Sequence, residues 1–186
     1  MKRNGYTFLR EATLREVLEH FVKTEVTRNE YANCRGELQA LLACEDRTFF
    51  KRMRKFADDR DDVNPTLTWT IGTHANKHHE RVQHWVLAEV TLDSLYSCGI
   101  NPAMQADLDR VNGHLASFAE FAQKYPEFQN DSVPQGDQRI IIAIAKTEVS
   151  KKGTLEVVDG SHRGIAMLAK KIGSTSAFVA ELKPER

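Results

Sequence analysis

The sequence predicts an α+β fold, and three observations carry that expectation. Apolar residues recur at helical spacing through the N-terminal third: Leu14, Val17, Leu18 and Phe21, then Leu38, Leu41 and Leu42, then Phe49, Phe50, Met53 and Phe56. Near the C-terminus, apolar runs at 140–145, 155–158 and 177–182 are too short for helices and are flanked by turn residues, which is strand behaviour. Between two of those runs, residues 154–173 change from strand to helix across the turn dipeptide Asp159-Gly160.

In chain order, residues 6–9 read as a short strand and 12–22 as a first helix, with Thr13 near its start. Thr27 followed by Glu30 fits a capping box that opens a second helix. A third helix is predicted from Asp46 towards Phe56. Its aromatic stripe is interleaved with Arg47, Lys51, Arg52, Arg54 and Lys55. Such a basic amphipathic segment suits nucleic acid, an acidic partner or a membrane surface, with Arg52 and Lys55 as candidate DNA or partner contacts. The favoured alternative is a core-packing helix with a solvated basic face, balanced by Asp58, Asp59, Asp61 and Asp62. That acidic run and Asn64-Pro65 form the clearest break in the chain. It divides a mainly helical region, 1–65, from a second region, 66–186, which can still pack together as one compact domain.

Leu67, Trp69 and Ile71 alternate with threonines, so 66–71 is predicted as a half-buried strand closed by Gly72-Thr73. Residues 74–84 are histidine-rich. His74 and His78 are four apart and fit one helix face as metal ligands, but no cysteine or well-placed carboxylate completes a set. A polar turn or short helix is the favoured reading. Residues 85–92 form another strand, 98–102 a turn, and 107–125 a helix facing inward through Leu108, Val111, Leu115, Phe118 and Phe121. A polar loop at 129–138 precedes the buried strand 140–145, and Lys151-Lys152-Gly153 makes a hairpin-like turn into the next strand.

The stretch 154–173 is where chemistry is expected. Leu155, Val157 and Val158 make a short strand, Asp159-Gly160 turns, and Ser161 is predicted as the N-cap of a helix carrying Ile165, Leu168, Ala169 and Ile172. Lys170 and Lys171 occupy its last turn, and Gly173 falls where a C′ residue belongs. Strand, glycine turn and helix N-terminus together favour an anion, and His162 and Arg163 add polar or cationic side chains at the same mouth. An ordinary turn with an ordinary cap is the competing reading.

With 186 residues, of which 41% are hydrophobic and 28% charged, the chain can bury a real core. Its 26 basic and 26 acidic residues cancel, so any nucleic-acid contact must rest on a local patch such as Lys146, Lys151, Lys152, Arg163, Lys170 and Lys171. The longest apolar run is far too short to span a bilayer, and no signal-peptide pattern opens the chain. Cys34, Cys44 and Cys98 lack metal-like spacing and read as reduced thiols. These features point to a soluble, cytoplasmic globular protein without a membrane span.

Residues Val157-Val158-Asp159-Gly160-Ser161-His162-Arg163, followed by a small apolar helix, resemble the signature loop of the ParB/sulfiredoxin superfamily. Asn101-Pro102 resembles the pair that such domains carry after their first strand, so the likeness spans roughly the last hundred residues. No arginine comes soon after that pair, as it does in many ParB-like chains. The resemblance implies a small mixed sheet with packed helices over 66–186, binding ATP or another NTP through its phosphates, with Mg²⁺. Activities in the superfamily include NTP hydrolysis, DNA cleavage, small-molecule phosphorylation and sulfinic-acid reduction. Ser161 replaces the cysteine that the reductases need as a nucleophile, which removes that branch. Size and helical N-terminus are similar to the plasmid fertility-inhibition and oncogenic-suppression group, which implies ATPase and DNase activity and inhibition of transfer through type IV secretion.

The phosphate chemistry implied assigns Gly160, Ser161, His162 and Arg163 to binding, and Asp159, His162 and Arg163 to catalysis. His162 would donate to a phosphate or shuttle a proton. Asp159, or else Glu156, would hold Mg²⁺ or orient a water; the competing reading is that Asp159 only makes the turn. Lys151, Lys152, Lys170 and Lys171 are candidate DNA or partner contacts. Two other classes remain open: a serine-type small-molecule kinase, and a non-catalytic inhibitor or adaptor that binds a secretion or partition protein through the helix at 49–56.

Overall fold

Strand runs that are apolar on both faces belong in the middle of a sheet, and the run at 140–145 sits there. The computed structural model describes residues 2–3, 6–25, 29–59, 65–74, 76–97, 116–124, 135–146 and 154–183. Its fold is α+β with a mixed sheet. The chain divides into two units: Met1–Glu11 with Trp85–Leu182, and Ala12–His84 with Lys183–Arg186. The division falls at residue 84 rather than 65, and the first strands join the C-terminal unit.

In the sheet unit the strands are β1 (Lys2–Arg3), β2 (Tyr6–Ala12), β3 (Val82–Thr91), β4 (Leu95–Ser97), β5 (Ala116–Ser117), β6 (Ile141–Lys146), β7 (Thr154–Asp159) and β8 (Ser174–Leu182). Among the described residues they form one sheet in the order β1-β2-β3-β8-β6-β7-β4-β5. Central β6 runs antiparallel to β7 and parallel to β8, while β4 runs parallel to β7. Alternation sends Ile141 and Ala143 of β6, Leu155 and Val157 of β7, and Ala177 and Val179 of β8 to one face. Helix α5 (Phe118–Lys124) and helix α6 (Ser161–Ala169) cover that face, with Phe118, Phe121, Ile165 and Met167 completing its core. The other face is buried as well, since Ile142, Ile144, Phe178 and Ala180 are all buried. At the sheet's flank, the Tyr6 hydroxyl donates to Glu181.

Close approach decides how α5 meets α6. A Cβ on Gly164 would lie 2.3 Å from Phe118 Cε2, so only a glycine lets the phenyl ring reach the helix backbone. The helix predicted at 107–125 is seen as β5 followed by α5, which starts at Phe118; residues 107–115 lie outside the described ones. Its N-terminus is fixed by a capping box: Ser117 N–H and Oγ donate to Glu120 at 2.7 and 2.8 Å, and Glu120 N–H donates back to Ser117 Oγ at 3.2 Å. The backbone and then the hydroxyl donation hold the Glu120 carboxyl below the usual glutamate range, against a smaller opposing effect of burial.

Helix α6 ends differently from the sequence expectation. Ile172 N–H bonds to Met167 O at 3.0 Å and Lys171 N–H to Leu168 O at 2.8 Å, which is a Schellman motif with Lys171, not Gly173, at C′. Lys171 therefore carries a positive φ of 63°, which a lysine adopts at a cost.

The second unit is helical. Helices α1 (Leu14–Glu25), α2 (Arg35–Leu42) and α3 (Asp46–Asp58) bear out the periodicity of the N-terminal third. Thr13 and Glu16 cap α1 reciprocally, with Thr13 N–H to Glu16 Oε2 at 2.8 Å and Glu16 N–H to Thr13 Oγ1 at 3.1 Å. The box expected at Thr27 lies outside the described residues, and the chain there enters α2 through a 3-10 turn, Asn29–Cys34. Arg15 joins the helices: its Nε bonds Glu19 at 2.6 Å, its Nη2 reaches Leu42 O at 3.3 Å, and its guanidinium lies 3.7 Å from the Phe49 ring centre.

The strand predicted at 66–71 is a helix, α4 (Pro65–Thr70). All of Thr66, Leu67, Thr68, Trp69, Thr70 and Ile71 are buried, so the alternation did not mark a wet face and a dry one. Proline opens the helix where its missing N–H costs nothing, and the Thr70 hydroxyl donates to Thr66 O at 2.7 Å. Burial thus overrides β-propensity here.

Candidate functional site

β7 carries the chain to Asp159, which pairs with Ile142 across a register shift. The turn then falls entirely on Gly160, whose φ of 89° and ψ of 17° place it in the left-handed region. Gly160 is the N-cap of α6, and Ser161, predicted in that role, is the first helical residue. The first helical bond runs from Gly164 N–H to Gly160 O at 2.9 Å. Space also demands glycine: an added Cβ would lie 2.7 Å from Arg163 Nη2 and 2.8 Å from Ile141 Cγ2.

The turn brings five of the predicted residues together. Arg163 folds back one helical turn, and its Nη2 donates to Asp159 Oδ2 at 2.8 Å. Both side chains are largely buried, Asp159 at 6% and Arg163 at 18% exposure, so this is not a surface ion pair. The remaining buried nitrogen, Arg163 Nε, makes no hydrogen bond among the described residues. Ser161 is half-buried, and His162 is exposed beside the pair. Asp159 and Arg163 thus balance each other's charge at the end of β7, with one guanidinium donor to spare.

Glu156, the alternative metal ligand, is buried on β7 three residues before Asp159; register sets it opposite Ile144, and Asp159 opposite Ile142 across a bulge. Among the described residues, no group of three His, Cys, Asp or Glu could hold a metal.

The candidate basic surface is dispersed. Lys170 and Lys171 are exposed at the far end of α6 from Arg163, ~11 Å along the helix axis. Lys151 and Lys152 lie outside the described residues. The strand ends that flank them, Lys146 and Thr154, pair at the opposite end of β7 from Asp159. Arg52 and Lys55 belong to the helical unit, exposed on α3 while Phe49, Met53 and Phe56 are buried. The aromatic stripe is therefore core, as the favoured reading had it.

The histidine-rich segment holds its side chains apart. His74 pairs with Asp58, by its N–H at 2.8 Å and by Nε2 at 3.2 Å. His78 stacks on Trp69 with ring centres 4.7 Å apart. His79 packs on Gly72, where a Cβ would lie 2.2 Å from Nδ1. Burial first, then Arg54 and Lys77, push the His79 imidazole below its ordinary value, with Glu80 opposing. Cys34 and Cys44 are free thiols, half-buried. Asn101-Pro102 and Cys98 lie outside the described residues.

Sequence reasoning missed a feature of the same sheet edge. Register sets Ile142 opposite Asp159 and Ile141 opposite Ala177, so the loop after β7, the entry to β6 and the start of β8 share one edge. A cavity of about 350 Å³ opens there, lined by Arg139, Thr175 and residues of β2 and β3. No local signal announces it, because its walls come from segments far apart in sequence. Among the described residues, no helix is long and apolar enough to cross a membrane. Compared with protein-family models, with curated proteins and with solved structures, the chain has no match.

Proposed function

We propose that the protein binds a nucleoside triphosphate at the turn 159–163 and hydrolyses it, in the manner of ParB/sulfiredoxin-like proteins, in the service of DNA cleavage. One observation carries this reading: a left-handed glycine starts a helix beside a buried arginine that keeps an unpartnered Nε–H. A buried donor of that kind costs free energy until an acceptor meets it, and a phosphate oxygen is the strongest acceptor available. The helix N-terminus adds a favourable dipole at the same point.

The residues would divide the labour as follows. Arg163 binds phosphate oxygens and stabilises charge developing on them. Asp159 keeps the guanidinium in place, and its second role would be to receive Mg²⁺ together with the substrate's phosphates. A single carboxylate suits that ion, which keeps several waters and is commonly held by one or two carboxylates plus phosphate. Mg²⁺ would supply charge neutralisation on the phosphate chain. His162, exposed at the first turn, is placed to exchange a proton with solvent and with a leaving oxygen. Inhibition of transfer through type IV secretion, and a secretion or partition protein as partner, belong to this proposal through the family resemblance.

The test is phosphate release from ATP and CTP with Mg²⁺, with plasmid nicking assayed alongside, for wild type and Arg163→Ala. Turnover that falls by about two orders of magnitude in the variant supports the reading. Equal turnover in both proteins, or none in either with any divalent metal, ends it.

A further inference from the structure

We propose that the cavity at the start of β6 and β8 is a second binding site, for a small zwitterion that pairs an anionic group with an ammonium group. It is separate from the turn at 159–163 and does not rest on the nucleotide reading. The cavity encloses about 350 Å³, within the range of small-molecule sites.

Its walls carry both signs of charge. Arg139 lines it, and Arg139 Nε is buried without a hydrogen-bond partner. Asp137 and Glu89 line it too, yet neither forms an ion pair with Arg139 among the described residues. The Glu89 carboxylate is oriented by the Ser174 hydroxyl, which donates to Oε1 at 3.0 Å. Arg139 is held from the backbone side, where Thr175 Oγ1 donates to Arg139 O at 3.0 Å. Glu89 is anchored on β3, whereas Asp137 and Arg139 share the 3-10 turn, Gly136–Arg139, that leads into β6.

A guanidinium fork takes a carboxylate or a phosphate, and the carboxylates take an ammonium. Leu9 and Ile140 supply an apolar wall for the carbon atoms between the two. A plain anion would satisfy Arg139 and be repelled by Glu89 and Asp137, and a plain cation would do the reverse. The ligand that satisfies both ends carries both charges.

The probes are aminoethyl phosphate and β-alanine, which join an ammonium to a phosphate or to a carboxylate. Ethyl phosphate and propionate are their analogues without the ammonium. Each is titrated into the full chain at matched ionic strength, and binding is read by calorimetry. At least one zwitterion is expected to bind saturably and roughly tenfold or more tightly than its analogue, and the better of the two names the anionic group. Arg139→Gln abolishes that binding, Arg139→Lys restores part of it, and Glu89→Gln brings the zwitterion down to the level of its analogue. Arg163→Ala leaves it unchanged. Far-ultraviolet circular dichroism confirms that each variant is folded. The proposal is overturned if neither zwitterion binds, if the analogues bind as well, if Arg139→Gln binds like the wild type, or if Arg163→Ala removes binding.

Discussion

Gly160→Ala tests the geometry of the turn most directly. Two costs add. An alanine at φ 89° sits in the left-handed region, at about 1–2 kcal/mol. Its Cβ would also stand 2.8 Å from Ile141 Cγ2 and 2.7 Å from Arg163 Nη2. The arginine tip can swing aside, but Ile141 is fully buried in the sheet core, so the overpacking adds about 1–2 kcal/mol. The sum is about 2–4 kcal/mol, or roughly 5–15 °C in Tm for a chain of this length. Urea unfolding followed by circular dichroism measures it. Gly36→Ala is the control: that glycine lies in α2, and an added Cβ meets nothing within 4 Å, so the substitution should stabilise by about 0.5–1 kcal/mol. If Gly160→Ala falls within about 0.5 kcal/mol of wild type, the argument from backbone and space is refuted.

Four further outcomes are expected. Lys171→Gly relieves the positive φ at the end of α6 and should raise stability by about 1 kcal/mol; an unchanged midpoint would show the strain to be absent. Arg15→Ala removes both the contact over Phe49 and the link to Glu19, and should cost about 2 kcal/mol, with Arg15→Lys recovering less than half because the planar fork is lost. Burial first, then Arg54 and Lys77, lower the His79 pKa in the folded protein, so on acidification the unfolded chain takes up its proton first. Stability from this group is complete above its ordinary 6.5 and drains away as pH falls below it, and His79→Gln should flatten that slope in unfolding experiments between pH 7 and 5. The Glu120 carboxyl is depressed by Ser117, so its contribution is present above the ordinary 4.5 and lost on further acidification. Ser117→Ala should shrink that acid-side loss.

The parts of this protein that the sequence determined are those set by neighbours along the chain. Helices α1 and α3 follow from apolar spacing of three and four residues, and α3 buries Phe49, Met53 and Phe56 as that spacing requires. The order strand, glycine turn, helix at 154–169 follows from β-branched residues, Asp159-Gly160 and the next apolar period. The shortest decisions needed more than that. At 66–71 a two-residue alternation and helical burial make the same pattern when every position is covered, and the packing around Leu67 and Trp69 selected the helix. At the end of α6 the sequence pointed to Gly173 as C′, and the Schellman bonds to Met167 and Leu168 placed the left-handed position two residues earlier, on Lys171.

Tertiary structure alone decided how charges were used. The fold pairs Arg163 with Asp159 in a buried contact, where composition counted only one more cation near a loop. It puts a bulge between Glu156 and Asp159, and it leaves Lys170 and Lys171 at the far end of α6 from Arg163. It also gathers Arg139, Thr175 and Glu89 around one cavity, although Thr175 stands 36 residues from Arg139 and Ser174 stands 85 from Glu89. Such meetings depend on strand order and register, which are fixed by burying whole faces of a sheet and leave no mark on any short window of sequence.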